Sequence, residues 1–289
     1  MKSICTAKCL VHYENLWTFE LTYPRYIHSE FMTHRMFSRN ASSSRAIPVA
    51  KVIQQVASNP VVPPKVYMNK AGMVGDVEAD RQDTVAFYNL WLDAATNAVN
   101  TAKEMEKLGI HKQHINRILE PFQFIHVIVT ATEWSNFFAL RLAPDAQPEM
   151  QDLANAIYDE MHKFKDQSFG YITRGGDGSL CSVLNGDSTL ITVPYITTDD
   201  CELLGDDYDF ITVMKVSAAR CARVSYNNHD GSKPDINKDL ELFDRLYKGG
   251  HMSPLEHTCL HNIDYVQSAN LMGWESLRYL LENHKAKLN

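Results

Sequence analysis

A mixed α/β fold is what the sequence predicts, on three observations. Residues 4–24 carry two alternating segments rich in β-branched and aromatic side chains, "ICTAKCLVHY" and "LWTFELTYP", split only by Glu14 and Asn15. That is the pattern of a hairpin. Residues 83–108 carry one apolar stripe at helical spacing (Val85, Tyr88, Trp91, Ala95, Ala98, Ala102 and Met105), closed by Gly109. Further on, the strand-like "FQFIHVIVTAT" leads into the helical "EWSNFFALRLA".

The remaining elements follow in order. Pro24 ends the second strand and suits the first turn of a helix, in which Tyr26, Ile27, Phe31 and, one turn on, His34 and Arg35 recur. The chain then runs into a loop through "SRNASSSR". "AIPVAKVIQQVAS" predicts a short helix closed by "NPVVPP", and "KQHINRILE" predicts another that ends before Pro121. Asp145 is placed to cap a helix over "AQPEMQDLANAIYDEMHKF". Residues 166–210 are irregular, with "RGGDG", "NGD" and "TTDDCELLGDDYD", and read as an insertion within a single domain spanning 1–289. "FITVMKVSAARCARVSY" reads as helical or mixed, and "DINKDLELFDRLYKGG" as an amphipathic helix with a glycine stop. "HMSPLEHTCLHNIDYV" reads as a loop and strand, and "NLMGWESLRYLLENH" as a last helix. The apolar stripes are read as core.

Composition narrows the function. The chain has 289 residues, 45% hydrophobic and 22% charged, with a formal net charge of −7. This is ordinary globular composition. The acidic balance argues against a general nucleic-acid binder, which needs a broad basic face. The six cysteines form no CxxC pair, which points to reduced thiols in the cytoplasm rather than a zinc or disulfide framework. The N-terminus lacks an apolar signal region, and no apolar run approaches the roughly 20 residues of a membrane span.

Residues 31–45, "FMTHRMFSRNASSSR", set His34, Arg35, Arg39 and Arg45 among Thr33, Ser38, Ser42, Ser43 and Ser44, with no acidic residue. Guanidinium forks, hydroxyls and small residues can cradle an oxyanion. The same composition also describes a solvated Ser-rich loop. Arg117 and Arg141 lie in apolar surroundings, "INRILEPF" and "NFFALRLA", so each needs either an ion-pair partner or a ligand anion. His251, Ser253, Glu256 and His257 in "HMSPLEH" read as an acid–base or metal group or as a capped turn. The spacing is not that of a zincin, so no metal is expected. No GxSxG nucleophile elbow is present.

Taken together, five blocks resemble the flavin-dependent thymidylate synthases. The family signature of Arg-His-Arg, seven residues, then Ser is matched by "THRMFSRNASS", with His34, Arg35, Asn40, Ser43 and Arg45 in register. "NRILEPFQF" resembles the segment with the family's phosphate-binding arginine, here Arg117. "SNFFALRLAPDAQPEM" resembles the Asn-Phe-Leu-x-Leu-Arg block and supplies Asn136 and Arg141. "AARCARVSY" supplies Ser225, and "HMSPLEH" supplies His251, Ser253 and Glu256. The block order is rotated relative to the usual family, which implies a circular permutation of a phage type. Thr33 stands where the family has arginine, Ala41 where it has glutamate, and Glu30 where it has a nucleotide-binding glutamine. Thr130 and Thr132 replace an asparagine and an arginine near the flavin.

The resemblance implies an α/β fold with a central mixed, largely antiparallel sheet flanked by helices. It also implies a cytoplasmic homotetramer with sites between subunits, and reductive methylation of dUMP to dTMP. Methylenetetrahydrofolate supplies the carbon, and FAD recharged by NADPH supplies the hydride. By the resemblance, Ser43 and Arg141 serve the reaction, and Glu30, Ser43, Ser44, Arg45, Arg117 and Arg141 hold the nucleotide. Thr33, His34, Arg35, Asn40, Asn136, Ser225, His251, Ser253 and Glu256 line the flavin. Two alternatives stay open: a flavin-dependent methylase or hydroxymethylase of another pyrimidine nucleotide such as dCMP, and a non-catalytic nucleotide-binding protein. The rotation predicts that residues 3–23 share a sheet with residues 258–266.

Overall fold

In a computed structural model of the chain, residues 3–71, 75–164, 182–184, 190–204, 210–225, 228, 232–262 and 270–283 are described. Strands β1 (Thr6–Tyr13) and β2 (Leu16–Pro24) form the expected antiparallel hairpin. Glu14 takes the turn at a φ of 50°, a left-handed conformation a two-residue hairpin demands. A 3-10 turn at Arg25–Ile27 runs into the short helix α1 (His28–Phe31), and β3 (Ser38–Ala41) follows. Helices α2 (Val49–Ser58), α3 (Arg81–Lys107) and α4 (Lys112–Ile115) come next, and a 3-10 stretch carries Asn116–Phe122 through Pro121. Then come β4 (Phe124–Ala131), α5 (Ser135–Arg141) and α6 (Pro148–Phe164). The C-terminal part comprises β5 (Ser182–Leu184), β6 (Leu190–Thr192), α7 (Thr198–Leu204), α8 (Phe210–Arg223), α9 (Ile236–Lys248), β7 (Cys259–His261), β8 (Trp274–Ser276) and α10 (Leu277–Asn283).

These strands make two four-stranded antiparallel sheets, ordered β1-β2-β4-β3 and β5-β6-β7-β8. The α/β class with antiparallel sheets and flanking helices is as read; among the described residues the strands lie in two sheets. The expected sharing of a sheet by residues 3–23 and 258–266 is not found for 258–262 among the described residues, and 263–266 lie outside them. The hairpin takes β4 as its partner across the full length of β2, from Trp17 opposite Ala131 to Pro24 opposite Phe124. β7 pairs instead with β6 and β8.

Strand periodicity explains how the two halves meet. On one face of the first sheet, Phe19, Leu21, Tyr23, Val127 and Val129 pack with Trp134 and Phe137 of the α5 region and Met150, Leu153 and Ile157 of α6. On the other face, Leu16 and Ile128 join Leu190, Cys221, Cys259 and Trp274 of the C-terminal part. Polar links cross the same seam. The Tyr195 hydroxyl donates to Glu20 at 2.7 Å, and Thr18, Thr130 and His257 form a buried chain with contacts of 2.8 and 2.9 Å. Thr130 is thus an interior hydrogen-bonding residue. The described parts of 166–210 are woven into the second sheet and its core through Ile191, Val193 and Ile196.

Arg220 anchors this half. Its side chain is 0% exposed. It donates to both carboxylate oxygens of Asp200 at 2.7 and 2.8 Å, to Asp239 at 2.9 Å and to the Tyr195 carbonyl at 2.7 Å. Burial works to raise the Asp200 carboxyl, but the guanidinium outweighs it and holds the group below its usual range.

Candidate functional site

The signature segment gains its shape from one short strand. β3 pairs with β4 so that Ser38 lies opposite Thr130, Arg39 opposite Val129 and Asn40 opposite Ile128. Successive side chains on a strand point to opposite faces. Arg39 therefore turns back and donates to the carbonyls of Met32 (2.8 Å) and His34 (2.9 Å), fixing the turn before it. Asn40 points the other way. Its amide donates to the carbonyls of Cys221 (3.0 Å) and Ala222 (3.4 Å) at the end of α8, and its oxygen accepts from Ser253 at 3.0 Å. Two blocks distant in sequence are thereby tied to the signature strand.

His34 and Arg141 meet through aromatic packing. Phe31, Phe37 and Phe137 are buried. The His34 ring stands edge-on to Phe137 with centroids 4.9 Å apart. Arg141 lies four residues after Phe137 on α5, on the same helix face, and its Nε donates to His34 Nε2 at 2.8 Å. Burial, then Arg141, then Arg39 lower the imidazole to about 4, so it is neutral near neutral pH. With Nε2 accepting, its proton sits on Nδ1. A cavity of about 140 Å³ opens here, with Thr33, Arg35, Phe37, Asn136 and Arg141 among its walls. Glu133 is its one carboxylate among the described residues, and that group faces the backbone N–H and hydroxyl of Ser135. Arg141 forms no salt bridge among the described residues.

A second cluster surrounds Glu120. This carboxylate accepts from the buried Ser44 hydroxyl at 2.7 Å and from Arg117 at 3.0 Å, and lies 3.4 Å from Arg25. Ser44 and Arg117 are therefore engaged within the chain, while the Ser43 and Arg45 side chains are exposed. Glu120 was missed in the sequence, although its place three residues after Arg117 is a helical ion-pair spacing. Glu30 is half-buried, and its carboxylate accepts from Ser29 at 2.9 Å. No hydrogen bond among the described residues joins this cluster to Arg141.

The third group lies at the 3-10 turn Ser253–Glu256. Glu256 pairs with Arg278 at 2.7 Å, Ser253 holds Asn40, and His251 is exposed. Ser225 follows the end of α8, its backbone N–H directed to the Arg220 carbonyl at 3.5 Å. Thr132 accepts from the Met272 N–H at 2.9 Å. The fifteen candidates thus fall into three neighbourhoods. Among the described residues no cluster suited to a metal ion occurs, and no helix is long and apolar enough to cross a membrane.

The buried imidazoles set a pH prediction. The buried His34 and His257 and the half-buried His28 are held below the ordinary histidine range, chiefly by burial, His34 to about 4 and His257 to about 3. Between those lowered values and about 6.5 the unfolded chain binds more protons than the folded one, so folding stability must fall as pH falls through that window. Urea unfolding midpoints are expected to be level between pH about 6.5 and about 8 and to drop steadily towards pH about 4. Midpoints that hold or rise on acidification would contradict the neutral assignment.

Comparison with known proteins adds the lineage. No curated protein sequence matches the chain. Among solved structures the chain is similar to the UMP/dUMP methylase PolB of Streptomyces cacaoi bound with 5-Br UMP, at 18% identity over 51% of this chain and 69% of that one, TM-score 0.43. It is also similar to thymidylate synthase X of Helicobacter pylori with FAD and dUMP, at 18% identity over 50% and 66% of the two chains, TM-score 0.36. The family described as thymidylate synthase complementing protein matches residues 14–165. The "AARCARVSY" and "HMSPLEH" blocks lie beyond that match, yet Asn40 holds both. The match itself takes in the β1–β2 turn, the signature strand, the Arg117 turn and the Arg141 helix, more than half of the 289 residues, and by it the chain belongs to the thymidylate synthase complementing protein family.

Proposed function

We propose that the chain is a flavin-dependent methylase that converts dUMP to dTMP, with methylenetetrahydrofolate as carbon donor, FAD as hydride carrier and NADPH as its reductant. The observation that carries this reading is Arg141 held by a neutral imidazole rather than by a carboxylate. A guanidinium so fixed keeps its full charge and its direction. Beside a pyrimidine carbonyl it would stabilise negative charge spreading over the ring, which activates C5 toward the carbon donor. Family membership and the signature residues on the cavity wall support the same chemistry.

The residues present fit a flavin. Leu140 offers exposed apolar surface over the buried Phe37 and Phe137, and Arg35 and Asn136 stand on the wall with exposed side chains suited to polar edges and phosphates. Thr33, Arg35 and Asn136 would hold it from this protomer, and His34 would orient Arg141. When bound, the flavin supplies the hydride; the protein positions and polarises. Ser43 and Arg45 would receive the nucleotide phosphate, with Arg117 shared between it and Glu120. We read the late position of the "AARCARVSY" and "HMSPLEH" blocks as a circular permutation, supported by their hydrogen bonds to Asn40.

A cavity of about 140 Å³ is smaller than the roughly 300 Å³ at which small-molecule pockets begin, so one protomer encloses only part of a nucleotide and flavin. We assign the remainder to neighbouring subunits of a homotetramer. The exposed Val85, Leu90 and Leu92 on α3 offer apolar surface for such contacts. Sedimentation is expected to show an oligomer at working concentrations. A fully active monomer would overturn the shared-site reading. The purified protein is expected to be yellow with a flavin spectrum; a colourless protein that FAD cannot reconstitute would favour a nucleotide-binding role instead.

A further inference from the structure

A second, larger cavity of about 550 Å³ opens between α8 and α9, within the size range of small-molecule sites. Its apolar part is Ala222, Leu242 and Leu246. Its polar part includes three cations: Arg223, the last residue of α8, and Lys238 and Arg245, two turns apart on α9. No carboxylate lines it among the described residues.

Arg223 makes this more than a basic surface. Its side chain is 9% exposed, and Nη1 is taken by Asp239. Nε and Nη2 are buried and have no hydrogen-bond partner among the described residues. These two nitrogens form one edge of the guanidinium, the side-on fork that fits a carboxylate or phosphate in bidentate fashion. Buried donors left without partners are costly, and a ligand oxyanion would satisfy both at once. The charges inside the protein are already matched. Arg220 and Arg223 stand against Asp200 and Asp239, and Lys238 and Arg245 form no salt bridge among the described residues.

We propose that this cavity is a binding site for a phosphate ester carried on an apolar or aromatic body, with the phosphate on the Nε/Nη2 edge of Arg223, steadied by Lys238 and Arg245, and the body on Leu242 and Leu246. The site is separate from the Arg141 cavity and does not rest on the proposed methylase chemistry. A free nucleotide and the diphosphate of a dinucleotide cofactor share this chemistry.

Titration calorimetry on the full chain tests it, with adenosine monophosphate, inorganic phosphate and FAD as probes. Adenosine monophosphate is expected to bind saturably and more tightly than inorganic phosphate. The double variant Lys238→Gln/Arg245→Gln alters only exposed side chains and is expected to weaken that binding by roughly tenfold or more. Arg223→Lys keeps the charge facing Asp239 but loses the fork, and is expected to weaken it similarly. Displacement of adenosine monophosphate by FAD would assign the site to a dinucleotide, and its persistence alongside FAD would assign it to a free nucleotide. No saturable binding, or equal affinity in wild type and both variants, would overturn the proposal.

Discussion

Arg141→Lys is expected to lower turnover by roughly a hundredfold or more, the scale for losing one preorganised electrostatic donor. Lysine keeps the charge but has no Nε–H to meet His34 and no planar fork to face a pyrimidine edge. The neutral His34 then loses the donor that now sits 2.8 Å from its Nε2, and the ammonium is free to swing toward solvent. Flavin content should stay near that of the wild type, because Thr33, Arg35 and Asn136 do not depend on Arg141. A guanidinium that only stabilises the fold would behave differently: melting temperature would drop while single-turnover flavin oxidation kept its rate. Measuring both on one preparation separates the two roles, and an unchanged oxidation rate would remove Arg141 from the reaction.

Arg220→Met is expected to produce the largest loss of stability, about 3–5 kcal/mol, the cost of breaking a buried ion pair by deleting one partner. Among the described residues Asp200 would keep only its Thr197 contacts, and Asp239 only Arg223. Removing the stranded charge as well, in Arg220→Met/Asp200→Asn, should recover part of the loss. Urea unfolding reads both. A single variant within about 1 kcal/mol of wild type would show that the network contributes little.

How much of this was legible in the sequence depends on where each element gets its information. The β1–β2 hairpin, β4 and α3 were readable because their own side chains alternate or recur with the right period. The start of α3 moved earlier, to Arg81, because Asp80 accepts from the Asp83 N–H and caps it. β3 was read as a loop. Ser38, Arg39, Asn40 and Ala41 carry no apolar alternation, and their strand character comes from β4. β8 was absorbed into the last helix because three residues are too few to show a period. Pro121 was read as a stop, but a 3-10 stretch passes it.

The site divides in the same way. His34, Arg35, Asn136 and Arg141 come together because motif spacing and a helix face already encode it. The reach of Asn40 to α8 and Ser253 follows only from the register of β3, and a one-residue slip would aim Arg39 there instead. Whether Arg141 met an ion-pair partner or a ligand was open on the sequence. The structure supplies a third answer, a neutral imidazole. The Arg220 network was hidden because Asp200 lies in the stretch read as an insertion.

The most direct test is a product analysis. The purified protein is given methylenetetrahydrofolate, FAD and NADPH with dUMP and dCMP side by side, and the nucleotides are resolved by mass spectrometry. The account predicts that dUMP gains one methyl group and becomes dTMP, that dCMP is unchanged, and that the reaction requires reduced flavin. Conversion of dCMP with dUMP untouched, or no conversion of either by protein carrying fully reduced flavin, would contradict it.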